Sequence, residues 1–331
     1  MPNPVVAEIR RGSLIESRHR GSIAVVAADG SIVLALGSVD TLVYPRSAVK
    51  AMQALVLVES GAVDCFGLDE EALALACASH GGEPGHVAVV ERMLAAAGLD
   101  PLSLACGVHW PSHAPSAQAL ARSGASATAL HNNCSGKHAG FLCAACALGV
   151  DPRGYTEPGH PVQRAVKAVF EDLAGIAIPD EHRAVDGCSV PTWAMPLAAL
   201  ARGFARFGSG TGMGPERAKA ARRLREACAA KPWHIAGTGR FCTAVMERFG
   251  DRVFVKTGAE GVFCGAIPGA GLGVAIKIDD GAARASEVAM AGVIARFVSL
   301  DDEDHAALDR LLRPALRNWN GIEVGAISPA Q

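Results

Sequence analysis

The sequence predicts an α+β protein in which strands from both ends of the chain form one antiparallel sheet and a long helical region is inserted between them. Three observations lead there. Strand-like runs are confined to residues 5–36 and to the stretch after Gly250, and the region between them shows alanine-rich helical periodicity broken by Gly and Pro. Half of the 331 residues are apolar and only 19% are charged, enough to bury a core large enough for a sheet and its helices. The 31 basic side chains nearly cancel the 33 acidic ones, for a net charge of −2, which excludes a polybasic nucleic-acid surface and a disordered chain.

Strands are expected at 5–10, 22–27 and 32–36, with Ala28-Asp29-Gly30 supplying a turn. Helices follow at 46–60, 85–97, 135–148, 161–174, 192–207 and 214–230. Strands return at 252–256, 262–267 and 272–278, with Pro268-Gly-Ala-Gly as the last turn, and an amphipathic helix is expected at about 284–298. Two short β segments cannot each make a stable sheet, so one sheet of five or six strands is the economical solution. The chain then reads as a single domain over 1–331, with the sheet from about 1–43 and 251–300 and the helical insertion at about 44–250. No internal repeat or low-complexity linker interrupts it.

The ten cysteines have no repeated spacing and read as reduced thiols. The first residues carry charges where a signal peptide needs an apolar run, and no window of about 18 uncharged apolar residues suits a membrane span. A soluble cytoplasmic protein that engages neither membrane nor nucleic acid is the expectation.

Chemistry concentrates in a few motifs. In Tyr44-Pro45-Arg46-Ser47-Ala48-Val49-Lys50, Pro45 suits the start of a helix and puts Ser47 and Lys50 one turn apart. A serine hydroxyl is a poor nucleophile until a base takes its proton, and a lysine can serve as that base. Lys256-Thr257-Gly258 closes an expected strand, and Ser-x-x-Lys combined with Lys-Thr-Gly is the signature of serine β-lactamases and penicillin-binding proteins. Ala78-Ser79-His80-Gly81-Gly82-Glu83 ends an apolar helix with a serine beside two glycines, which suits an oxyanion or substrate loop. His131-Asn-Asn-Cys134-Ser-Gly-Lys137-His138 precedes an apolar helix and places Cys134 at its start, where a thiol pKa falls. Asp186-Gly-Cys188-Ser-Val-Pro is read as a second cysteine in the same setting. Neither a paired Cys-x-x-Cys nor His-Glu-x-x-His accompanies these thiols, so spacing gives a metal little support. Cys143-Ala-Ala-Cys146 lies inside an apolar helix and reads as core.

Taken together these motifs resemble the class 3, rhizobial-type L-asparaginases, the asparaginase II family. The likeness spans essentially the whole chain and includes residues 44–53, 78–83, 131–140, 186–192 and 256–261. It implies a serine β-lactamase-like fold, a homodimer, and hydrolysis of L-asparagine to aspartate and ammonia. It also implies two Ser-Lys tandems, Ser47 with Lys50 and Ser79 with Lys256, and a zinc site formed by Cys134, Lys137 and Cys188.

Ser47 is the expected nucleophile and Lys50 its base, with Ser79 and Lys256 relaying protons and polarising the amide. Three lysines around one site are expected to depress each other's pKa. Arg46 and His138 are the expected contacts for the substrate's two ends, and Asp186 is grouped with them and expected to hydrogen-bond a metal ligand. The reverse order of the two serines stays open. So do a glutaminase or another small-amide hydrolase of the same fold, a non-catalytic amino-acid or metal-binding protein, and a thiol redox role for Cys143 and Cys146.

Overall fold

The computed structural model describes residues 2–330. The chain divides into two compact units. The first is built from Met1–Ala48, Met195–Gly212 and Arg252–Gln331, and the second from Val49–Ala194 and Met213–Asp251.

The first unit holds the sheet. Its eight strands are β1 (Val5–Arg11), β2 (Leu14–Ala27), β3 (Ile32–Leu36), β4 (Phe254–Thr257), β5 (Val262–Ile267), β6 (Leu272–Ile278), β7 (Ala315–Arg317) and β8 (Glu323–Pro329). They run in the order β7-β8-β1-β2-β6-β5-β4, with β3 also on β2, and every pairing is antiparallel. The long strand β2 serves three ladders. Its first half pairs with β1, and from Gly21 onward it pairs with β6 while β3 joins its other edge. Gly21 makes that switch possible, because a Cβ there would lie 3.1 Å from the Ile278 Cα.

All six residues of β5 are buried, so this strand reads as a continuous apolar run rather than an alternation. The helices Leu197–Ser209 and Ala283–Phe297 pack on the sheet. At Gly273 of β6 an added Cβ would come 2.8 Å from the Phe204 carbonyl carbon, so only glycine lets the first helix lie this close. Phe204, Phe207 and Phe254 meet there, with ring centroids 5.4–6.4 Å apart. Burying each such ring contributes about 1.5–3 kcal/mol.

The second unit is mostly helical. At its centre, eleven residues of the helix Ser135–Ala147 are buried, in contact with the helices Leu55–Glu59, Glu70–Ala76, Pro84–Ala96 and Pro161–Ala174. Gly136 allows its close approach to the preceding layer, since a Cβ there would stand 2.7 Å from Leu75 Cγ. A small hairpin, Arg183–Val185 with Pro191–Trp193, completes what the site needs.

The α+β arrangement expected from the sequence is therefore observed, with differences of detail. The sheet has eight strands rather than five or six, because β7 and β8, beyond residue 300, extend it past β1. The helix Asp302–Leu312 precedes them, started by Asp301, whose carboxylate accepts from Asp304 N at 2.7 Å. The region 46–60 is not one helix but a 3-10 turn, Arg46–Val49, followed by the short helices Lys50–Gln53 and Leu55–Glu59. The segment 192–207 is helical only from Leu197; Pro191–Trp193 is a strand, an apolar stretch whose short period the sequence cannot separate from a buried helix. No helix among the described residues is long and apolar enough to cross a membrane.

Candidate active site

Lys50 opens its short helix with a side chain that is 0% exposed. A buried amine must find acceptors, and three are provided. Its Nζ lies 2.7 Å from the Ala78 carbonyl, 3.0 Å from Ser79 Oγ and 3.2 Å from the Asn133 carbonyl. The two carbonyls can only accept. Whenever Nζ carries two protons, these serve the carbonyls and the nitrogen lone pair is left facing the Ser79 hydroxyl; with three protons it donates to Ser79 as well. The geometry would allow a proton to pass between this lysine and the serine.

Ser79 owes its place to the extended segment after the helix Glu70–Ala76, which Asp69 caps by accepting from Ala72 N at 2.9 Å. The Ser79 amide donates to the Ile235 carbonyl at 2.9 Å. His80 next to it is fully determined. Ser135 Oγ gives its own proton to the Leu130 carbonyl (2.8 Å), so it accepts from His80 Nε2 (2.9 Å), while His80 Nδ1 accepts from Gly82 N (3.2 Å). Burial first, then the charges of neighbouring groups, holds this imidazole well below the ordinary histidine range. It is a neutral strut between the Ser79 segment and the helix Ser135–Ala147.

Cys134 is the N-cap residue of that helix, and its amide donates to Asn132 Oδ1 at 2.8 Å. Asn132 in turn donates to the carbonyls of Cys106 (2.9 Å) and Gly107 (3.1 Å), which fixes the approach to the helix. A hydrogen bond from Cys188 holds the Cys134 thiol well below its usual range, against the effect of burial and helped by Lys50 and Lys137. The same hydrogen bond, together with burial, pushes Cys188 up. Lys137 Nζ donates to Cys188 Sγ at 3.0 Å, and Cys188 Sγ lies 3.6 Å from Asp186 Oδ2.

Two expectations are corrected here. Cys188 does not start a helix: it sits in the loop of the small hairpin, where Ser189 takes a φ of 75° and Asp186 N donates to the Val190 carbonyl at 2.9 Å. Lys137 is not depressed by its fellow lysines. Burial lowers it, but attraction to Cys188 and Cys134 outweighs burial and raises it, because its immediate neighbours are sulfurs and a carboxylate. Among the described residues no group of three or more His, Cys, Asp or Glu side chains is placed to hold a metal, so a site here is completed only by the lysine. Two adjacent buried thiols and an amine are a donor set that zinc accepts once the protons leave, and in that sense the residues fit.

His138 is 0% exposed. Its Nδ1 lies 2.7 Å from the Tyr155 hydroxyl, which also accepts from Ala105 N at 2.8 Å. Its Nε2 has no hydrogen-bond partner among the described residues. Tyr155 is an isolated residue that no sequence pattern marked.

The remaining expected residues belong to the first unit. Arg46 has a φ of 51°, costing about 1–3 kcal/mol for a non-glycine residue, and such strain collects at functional turns. It opens the 3-10 turn in which Ser47 is half-buried and Ala48 N donates to the Pro45 carbonyl at 3.1 Å. Lys256, on β4 opposite Cys264, is 0% exposed, and its Nζ donates to the Thr257 carbonyl at 2.8 Å. A Cβ at Gly258 would lie 3.0 Å from the Pro45 carbonyl oxygen, so glycine is what lets the Lys-Thr-Gly strand end abut the turn carrying Arg46 and Ser47.

A serine hydroxyl hydrogen-bonded to a buried lysine is an arrangement in which a base can activate a hydroxyl. The sequence model of the family described as L-asparaginase II matches residues 7–329. The chain belongs to that family, and with it to the hydrolases acting on amides. No curated protein sequence matches it. Among solved structures it is similar to one described as Mglu, at 15% identity over 86% of this chain and 69% of that one, with a TM-score of 0.47. It is also similar to a β-lactamase from Mycobacterium bovis, at 14% identity over 90% and 97% of the two chains, with a TM-score of 0.38. A third is the simvastatin synthase LovD of Aspergillus terreus, at 13% identity over 78% and 86%, with a TM-score of 0.39. The antiparallel sheet built from both ends of the chain, with a helical region inserted between them in the sequence, is the α+β arrangement expected from the sequence.

Proposed function

We propose that the protein hydrolyses L-asparagine to L-aspartate and ammonia through a Ser-Lys activated hydroxyl. The observation that carries the reading is the buried Lys50 amine, 3.0 Å from Ser79 Oγ and flanked by two carbonyls that fix its protons. In this mechanism Ser47, three residues before Lys50 and on a strained turn, attacks the side-chain amide carbon as its proton passes to Lys50. Ser79 relays that proton, Lys256 polarises the amide, and the departing nitrogen is protonated to leave as ammonia. Water then hydrolyses the β-aspartyl ester, releasing aspartate and returning the proton to the serine. Arg46, His138 and Asp186 hold the substrate.

Cys134, Lys137 and Cys188 would hold zinc, which supplies positive charge to orient and polarise a bound group. For a lysine held as ammonium by its thiol neighbours, such binding releases the Lys137 proton. The reading also takes the protein to be a cytoplasmic homodimer.

The test is ammonia release from L-asparagine and L-glutamine by the wild type, Ser47→Ala and Ser79→Ala, with mass spectrometry of quenched reactions to locate an acyl-serine. The expected result is release from asparagine, none from Ser47→Ala, and slow adduct formation on Ser47 in Ser79→Ala. An adduct on Ser79 would reverse the roles of the two serines. No release from either amide, with or without zinc, would overturn the reading.

A further inference from the structure

We infer that Glu83 is a positioning residue for Ser79: its carboxylate, clamped by Thr238, holds the Ser79 segment in register with Lys50. The inference rests on the asparaginase reading given above. Neither Glu83 nor Thr238 has a place in that mechanism, yet Glu83 is a carboxylate only 7% exposed, four residues after the serine. A buried carboxylate needs donors, and Thr238 gives it two: the backbone N–H to Oε1 at 2.8 Å and the hydroxyl to Oε2 at 2.7 Å. Burial pushes the Glu83 carboxyl up, but these two bonds, with His113 and His86 nearby, outweigh it and keep the group ionised.

The segment needs such a clamp because its sequence is soft. Gly81 and Gly82 follow Ser79 and His80, and Gly82 has a φ of 72°. Glycine gives up more conformational freedom on ordering than any other residue, so a serine beside a glycine pair stays put only if its ends are tied. One end is tied to the turn at 235–238 through Ser79 N and the Ile235 carbonyl, 2.9 Å apart. Glu83 ties the other end to the same turn. The turn is shaped to receive it, since Gly237 has a φ of 104° and a Cβ there would run into Glu83 Oε1. Trp233 Nε1 donates to Thr238 Oγ1 at 3.0 Å, which orients the threonine hydroxyl to pass its own proton to Glu83. The one charged member of this arrangement thus sets the distance from the serine oxygen to the lysine, where errors near 1 Å cost about a hundredfold in rate.

The experiment compares the full-length wild type with Glu83→Gln, Thr238→Val, Thr238→Ser and the double variant Glu83→Gln/Thr238→Val. Steady-state ammonia release from asparagine, thermal unfolding, and hydrogen exchange of the peptide containing Ser79 are measured on each. Glu83→Gln is expected to lower kcat at least about tenfold, with KM within about twofold and Tm nearly unchanged, and to speed exchange at Ser79. Thr238→Val should act in the same direction, Thr238→Ser should behave as wild type, and the double variant should be no worse than Glu83→Gln alone. The inference is overturned if the wild type is active and Glu83→Gln keeps kcat within about twofold, or if its loss of rate only follows a loss of folded protein. If the wild type releases no ammonia from asparagine, it is the asparaginase reading that fails. The clamp is then decided by exchange alone, and unchanged exchange at Ser79 in Glu83→Gln overturns it.

Discussion

Replacing Lys50 by methionine separates what this residue does for the fold from what it does for the chemistry. The substitution removes the hydrogen bonds to Ala78 O, Ser79 Oγ and Asn133 O. Such bonds contribute about 0.5–3 kcal/mol each, so about 2–9 kcal/mol is lost. Against this, a side chain that is 0% exposed no longer has to take a polar amine out of water, a penalty of about 2–7 kcal/mol, and methionine fills nearly the same volume. The opposing effects leave a net change within about 3 kcal/mol, or a Tm shift within about 6 °C at roughly 2 °C per kcal/mol for a chain of this length. No such compensation exists for catalysis. Without an acceptor for the Ser47 proton, kcat for ammonia release should fall by about 10²–10⁴ with the variant still folded. Coupled ammonia assays beside thermal unfolding of the same preparation measure both effects. A folded variant whose kcat stays within about tenfold of wild type would refute Lys50 as the base.

Cys188→Ser should lower zinc content measured by elemental analysis, and asparagine affinity with it, by at least about tenfold while leaving the unfolding curve nearly unchanged; undiminished metal would remove Cys188 from the ligand set. Burial holds His86 down, to about 4 from an ordinary 6.5. As pH falls, the unfolded chain therefore takes up this proton first, so stability is full above pH 6.5 and is lost between there and about pH 4, by up to about 3 kcal/mol. His86→Gln should flatten urea-denaturation midpoints over that range, and an unchanged slope would assign the loss to other groups. Cys143 is buried and pushed up to about 12, whereas Cys65 is exposed. Iodoacetamide should modify Cys65 first and leave Cys143 untouched in the native protein, and rapid labelling of Cys143 would reopen a thiol redox role.

Much of the fold could be read from the sequence because its strongest patterns were long. The helix Ser135–Ala147 and the strands β5 and β6 carry unbroken apolar stretches between glycine turns, and they appear where expected. What escaped was short or locally ambiguous. The strand β7 has only three residues, and its partner β8 alternates weakly beside a surface. Pro191–Trp193 looks like the start of the helix that begins at Leu197, and only its pairing with Arg183–Val185 makes it a strand. Of the candidate site, Ser-x-x-Lys marked Lys50, the serine beside two glycines marked Ser79, and the polar run before a core helix marked Cys134 and Lys137. The similar sequences around Cys134 and Cys188 concealed different backbones, one at a helix start and one in a hairpin loop. Tyr155 and Thr238 could not be found at all. Their roles depend on partners 17 and 155 residues away, which no local pattern encodes.

The pairing of the sheet also orders events during synthesis. Strand β1 is made before the other strands of the sheet, but one of its two partners, β8, is made after all of them, and β2 waits for β6. By contrast, all of the helical unit, from Val49 to Asp251, has been made before any of β4 to β8. Closing a loop of some three hundred residues adds little entropy cost over a shorter one, but the contacts that reward it come late. The helices can therefore be packed while β1, β2 and β3 are still a three-stranded fragment with open edges. In that interval the edge of β2 that will later pair with β6 is an open strand edge, the kind on which a neighbouring chain can add.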